Sequence, residues 1–160
     1  MEARSFEVHY QAYASPDALS DLDQKLLQAA VNALDGSWSP YSNFKVGAAV
    51  RMNNGAIILG SNQENAAYPM CLCAERTALA AAASQFSNEK IESIAITVKN
   101  PKQIIQNPAM PCGACRQVIC ENEDKHQQPI RVILRGEVGE IFIFKTGRDI
   151  LPFAFSGKYL

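Results

Sequence analysis

The sequence predicts an α/β sandwich built on one mixed sheet of five strands. Three observations carry that prediction. Apolar residues recur at helical spacing, or small residues line one helical face, in three separated stretches at 20–35, 73–84 and 111–123. Five short apolar runs lie between and after these stretches, and the first two are joined by Asn53-Asn54-Gly55, a strong hairpin signal because Asn-Gly tolerates positive φ. The order helix, two strands, helix, strand, helix, two strands lays helices on a sheet rather than against one another.

Taken in order, residues 6–13 alternate apolar and polar side chains, with Phe6, Val8, Tyr10 and Ala12 against Glu7, His9 and Gln11. This strand-like arm is cut off by Ser15-Pro16. It suits a sheet edge, a neighbouring subunit or a frayed tail. The first helix spans 20–35: Ser20 or Asp21 caps it, Leu22, Leu26, Leu27, Ala30 and Leu34 repeat along it, and Gly36 ends it. The aromatic, turn-rich stretch 38–44 reads as a loop with core-anchoring rings. Strands follow at 45–52 and 56–60. After a loop at 61–70, a helix from about Cys73 to Ser84 presents Ala74, Ala78, Ala81 and Ala82, so another element can pack close to it. A buried strand at 91–98 and a proline-punctuated loop at 100–110 precede Pro111, which fits the first turn of a helix to about Glu123. Strands at 130–134 and 140–145 and a helical turn at 148–151 complete the chain.

At 160 residues this is one domain, expected at 20–160 behind an arm at 1–19. A net charge of −1 offers no basic face to a nucleic-acid backbone, so no nucleic-acid partner is expected. No apolar run reaches bilayer length and the N-terminus lacks an apolar signal core, so the expectations are no membrane partner and a cytoplasmic location. Five cysteines, an odd number, then point to metal binding or catalysis rather than a disulfide framework.

Cys112 and Cys115 sit three apart at a helix start, where both sulfurs can grip one ion. Alone, C-x-x-C fits a redox pair, half of a structural zinc site or half of a catalytic one. The number of further ligands decides between them. His9 and His126 lie in polar surroundings, and Cys120 is turned off the metal face as a small buried hydrophobe. The Cys71/Cys73 pair remains to supply one more ligand, and three protein ligands with one open position is the pattern of a catalytic zinc site. Glu75, two residues past Cys73, can reach a metal-bound water; its plainer role is that of an acid favoured at a helix start. Three thiolates leave zinc with a formal negative charge, so Arg76, three residues past Cys73, is read as a compensating cation rather than a bystander on the surface.

The run Cys73-Ala74-Glu75-Arg76-Thr77, followed by Pro111-Cys112-Gly113-Ala114-Cys115-Arg116-Gln117-Val118, is similar to the zinc-deaminase signature in its three-cysteine form. With 62–69 and 39–49 added, the chain resembles the homotetrameric cytidine deaminases over about 20–155. The resemblance implies a three-layer α/β/α sandwich and one Zn2+ per chain on Cys73, Cys112 and Cys115. It implies hydrolytic deamination of cytidine and 2′-deoxycytidine by a zinc-bound hydroxide, with Glu75 as proton shuttle, in pyrimidine salvage. It further implies that Asn62 and Glu64 hold the ribose, Phe44 packs on the base, and the backbone of Ala66 and Tyr68 lines the pocket. Phe155 would close a neighbouring subunit's site in a homotetramer. Cys71 is expected to be a free thiol near the metal. The rivals are a modified-nucleoside deaminase, a polynucleotide-editing deaminase and a structural zinc module, the last of which lacks a fourth protein ligand.

Overall fold

The computed structural model describes Met1–Leu160, the side chain of Tyr159 excepted. Its centre is β4 (Ile91–Lys99), in which only Glu92 and Lys99 are exposed. β4 pairs antiparallel with β2 (Lys45–Met52) and parallel with β5 (Arg131–Arg135). β3 (Ile57–Ser61) flanks β2 and β6 (Ile141–Phe144) flanks β5, both antiparallel.

Side chains alternate between two cores, as strand geometry requires. Val50, Ile94, Ile96, Val132 and Leu134 face α2 (Ala74–Gln85) and α3 (Gly113–His126). Ala49, Ala95, Ile133 and Ile143 face α1 (Asp21–Ala33). The result is three layers, α/β/α, as expected.

The sheet has six strands rather than five. β1 (Gln11–Tyr13), from the N-terminal arm, adds to the free edge of β6, with Gln11 opposite Ile143 and Tyr13 opposite Ile141. Tyr10 packs its ring 4.7 Å from that of Phe142. A three-residue strand carries too little alternation to announce its partner, and the rest of the arm forms no strand.

Leu22 does not join the core; it is 59% exposed. The inward stripe of α1 runs through Asp23, Leu26, Leu27, Ala30 and Ala33, so the position one residue on from Leu22 turns inward. Asp23 is buried there, ion-paired with Arg131 and lying 3.8 Å from Arg51. Trp38 and Tyr41 also stay outside the core, at 60% and 52% exposure. Helix α3 runs past Glu123 to His126 and closes on Gln127 at φ 50, a left-handed cap usually held by glycine. Asn53-Asn54-Gly55 forms its turn, with Gly55 at φ +86.

The alanine face of α2 does what its small side chains allow. A Cβ on Gly60 would lie 2.3 Å from the Ala74 carbonyl oxygen and 2.4 Å from the Ala78 nitrogen, so β3 meets the helix backbone to backbone. Gly60→Ala is therefore expected to lower stability by about 1–3 kcal/mol, the range for overpacking. The shift should be read as a lower denaturant midpoint at unchanged slope.

Candidate active site

Two helix starts face the same point. Cys73 is the N-cap of α2 and Cys112 the N-cap of α3, and neither side chain caps its helix. Pro111 thus lies one residue outside the helix, where the Arg116 guanidinium donates to its carbonyl at 2.7 Å. Cys115 is fully buried in the first turn of α3.

The Cys73 and Cys112 sulfurs are 3.9 Å apart, and those of Cys112 and Cys115 are 3.5 Å apart. All three lie within 4.8 Å of one another. Tetrahedral zinc with Zn–S bonds of about 2.3 Å needs sulfurs about 3.8 Å apart, whereas a disulfide needs about 2 Å. The three thiols fit one zinc ion. They form the one such cluster of His, Cys, Asp or Glu among the described residues. Cys120 is buried elsewhere on α3, and Cys71 stands outside the cluster with its sulfur accepting from the Asn65 N–H at 3.2 Å.

Charge is concentrated here. Cys73 is held down to about 5, first by the hydrogen bond with the Cys115 thiol, then by Cys112 and the Arg76 cation. Cys115 is pushed up by serving Cys73 as donor, by burial and by the nearby Glu75. Burial is the main cause that raises the Glu75 carboxyl, and the charge of Cys73 adds to it. Arg76 donates to the Cys71 carbonyl at 2.8 Å, which keeps its cation beside the thiols.

A cavity of about 320 Å³ opens onto this cluster. Cys73, Cys112 and Glu75 line it together with Asn62, Glu64 and Cys71, and Phe44, Val46, Ile96 and Val98 supply an apolar wall. This mix of apolar wall and few polar groups is that of a small-molecule site.

Main-chain stitching explains the convergence. Gln63 bridges to Trp38 on one side and Leu72 on the other, so the segments that hold Phe44, Asn62, Glu64 and Cys73 are tied together. Asn62 accepts from the Ser37 hydroxyl at 2.6 Å and the Val46 N–H at 2.8 Å, and donates to the Phe44 carbonyl at 2.9 Å. Glu64 accepts from the Ser42 hydroxyl and from the Tyr41 and Ser42 N–H groups, which hold its carboxyl below the usual range. Asn43, at φ 59, turns the loop into Phe44.

Of the residues named from the sequence, Cys115 and Arg76 sit behind the cavity wall, and Ala66, Tyr68 and Phe155 do not line this chain's cavity. Tyr68 is 71% exposed and edges against Tyr41 with ring centres 6.1 Å apart. Conversely, Ala109 and Met110 reach the cavity from the 100–110 loop, and nothing in their local pattern announces it. Val46, Ile96 and Val98 read in the sequence only as strand residues.

Paired helix starts that cluster three thiols at the wall of one cavity, beside a buried carboxylate that lines it, define a metal-dependent hydrolytic site. The family model for the cytidine and deoxycytidylate deaminase zinc-binding region matches residues 20–128. A cytidine deaminase from Halalkalibacterium halodurans is 38% identical over 135 residues, covering 84% of this chain and 95% of that one. One from Sporosarcina psychrophila is 37% identical over 86% of this chain and 93% of its own. A solved cytidine deaminase from Burkholderia pseudomallei superposes with a TM-score of 0.70 at 38% identity, covering 82% of this chain and 97% of that one. The chain belongs to the cytidine and deoxycytidylate deaminase family of zinc-dependent enzymes.

Cys115→Ser should drop zinc from one per chain to well below it, measured by elemental analysis of the purified protein. Cys71→Ser should keep one zinc per chain, because its sulfur lies outside the cluster.

Proposed function

We propose that this enzyme hydrolyses cytidine and 2′-deoxycytidine to uridine and 2′-deoxyuridine with release of ammonia, a step of pyrimidine salvage. The observation that carries the reading is one cavity lined by a buried glutamate, the Asn62/Glu64 pair and two of the three clustered thiols, with the third, Cys115, buried directly behind them. Cys73, Cys112 and Cys115 hold the zinc, which supplies the Lewis acidity that makes water a nucleophile near neutral pH. Arg76 and the N–H groups of the two helix starts offset the negative charge of three thiolates.

Glu75 is the proton carrier. Buried beside Cys73, it takes a proton from the attacking water and delivers it to ring N3, then takes the remaining proton of the new C4 hydroxyl and passes it to the 4-amino nitrogen. The C4–N bond breaks and ammonia leaves as the C4 oxygen becomes the product carbonyl. The raised Glu75 carboxyl suits a group that both accepts and returns a proton.

Asn62 spends one amide N–H on Phe44, which leaves it the other for a ribose hydroxyl, and Glu64 accepts from a second hydroxyl. Phe44 packs against the base. The backbone at Ala66 and Tyr68 completes the pocket in a homotetramer, and Phe155 closes the site of a neighbouring subunit. Its exposed ring supports that assignment. The small cavity and near-neutral charge favour a free nucleoside over a polynucleotide. Residues 20–160 form the catalytic domain and 1–19 an arm on the sheet edge, in a cytoplasmic protein. No helix is long and apolar enough to cross a membrane.

Cytidine and deoxycytidine, offered beside cytosine and a short oligonucleotide, should be the two that lose absorbance with stoichiometric ammonia. Turnover of the oligonucleotide alone would overturn the nucleoside assignment. Glu75→Ala should retain zinc and lose about 10²–10⁴-fold in kcat, the span of general acid–base catalysis; retained activity would remove Glu75 from the mechanism. Phe155→Ala should raise KM with zinc unchanged, and an unchanged KM would count against the shared site.

A further inference from the structure

We propose that Gln117 is a positioning residue for the proposed shared site, and that its carboxamide sets the main chain of Phe155 so that the ring reaches the neighbouring subunit. The proposal rests on the reading of Phe155 as the residue that closes that site.

The geometry is that of a clamp. Gln117 Nε2 donates to the Phe155 carbonyl at 2.8 Å, and the Phe155 N–H donates to Gln117 Oε1 at 3.2 Å. One side-chain amide thus occupies both polar groups of a single main-chain unit, as a neighbouring strand would. Glutamine and asparagine are the side chains that carry an N–H donor and a carbonyl acceptor on one planar amide, matching the spacing of a main-chain unit, and glutamine has the longer reach of the two.

Phe155 has need of such a device, because it lies outside every helix and strand. Its main chain is fixed while its ring stays 59% exposed. An anchor meant only for stability would bury the ring, whose apolar area is the larger source of free energy. Here the polar backbone is held while most of the ring lies at the surface.

The rest of the segment is tied to the same helix. Arg116 donates to the Ile150 carbonyl at 2.8 Å. Glu123 accepts from the Gly147 N–H at 2.8 Å and the Thr146 hydroxyl at 2.7 Å. The Ser156 hydroxyl reaches Asp124 at 3.4 Å. These contacts hold the segment before and after Phe155, and Gln117 sets the residue itself. Gln117 stands two positions beyond Cys115, so the helix that carries two of a subunit's metal thiols also registers the ring that subunit lends its neighbour.

The test compares Gln117→Met, a near-isostere without hydrogen bonds, with Gln117→Glu, Phe155→Ala and the Gln117→Met/Phe155→Ala double variant in the zinc-loaded oligomer. Gln117→Met should raise the KM for cytidine roughly three- to tenfold, the range that loss of one or two net hydrogen bonds gives, with kcat and zinc content unchanged. Gln117→Glu, which keeps the acceptor and loses the donor, should fall between wild type and Gln117→Met. The double variant should match Phe155→Ala alone, since a clamp has no effect without its ring. Amide exchange should quicken at Phe155 and not at Arg116 in the Gln117→Met protein. Additive KM effects, a fall in zinc content or kcat in place of a KM rise, or unchanged protection of the Phe155 amide would each overturn the proposal. If Phe155→Ala itself leaves KM unchanged, the shared-site reading fails and the proposal with it, while the amide exchange still reports separately whether the clamp exists.

Discussion

Three sulfurs from two helices must meet within about 4 Å, and much of the fold can be derived from that requirement. β3 and β4 are each antiparallel to β2, so they run in the same direction. α2 follows β3 and α3 follows β4 on the same face of the sheet, so both helices begin at the same edge. Their N-termini then point into one region, the usual place for a ligand at the carboxyl ends of strands. Gly60 brings α2 down onto β3, and Arg116 fixes the Pro111 carbonyl at the start of α3. Each detail moves a thiol closer to the others.

Stability is given up at that point. An N-cap position prefers an oxygen side chain, and its replacement costs about 0.5–2 kcal/mol. α2 and α3 both place cysteine there without a side-chain cap, whereas α1, which carries no ligand, is capped by Ser20. The contrast lies within one chain, so it reflects the use of those helix starts rather than a general habit of the sequence. Uncapped N–H groups also remain free to stabilise anionic sulfur.

What the sequence made legible was local. Cys73, Glu75, Cys112 and Cys115 sit in short motifs whose spacing already places them on helix starts, and the Asn54-Gly55 turn needs no distant partner. What escaped depends on residues far along the chain. Asp23 looks like an acid in the first turn of a helix, and its burial is explained only by Arg51 and by Arg131, 108 residues away. Trp38 and Tyr41 look like core residues, yet they flank a loop stitched outward to Gln63 and Glu64. Gln117 sits within a recognisable motif, but its partner is a backbone unit 38 residues on, and such bonds leave no side-chain pattern to read. The sixth strand was half legible: the alternation at 6–13 allowed a place along a sheet edge, but pairing with β6 is a property of the folded edge.

The buried acids show how function separates from structure. Glu123 is buried and satisfied by the Ile130 and Gly147 N–H groups and the Thr146 hydroxyl. Asp23 is buried and paired with Arg131 and the Ser20 hydroxyl. In both, donors offset the desolvation, though in Asp23 they fall on Oδ2 while Oδ1 only lies 3.8 Å from Arg51. Glu75 is as deeply buried, yet it is in no ion pair among the described residues, and it lines the cavity beside Cys73. Burial, with the charge of Cys73 added, raises its carboxyl even though a backbone N–H and the Cys115 thiol partly answer it. A carboxyl in that state, buried yet lining a cavity beside Cys73, is poorly placed to hold the fold together, and that is what supports the proton-carrier role proposed for it.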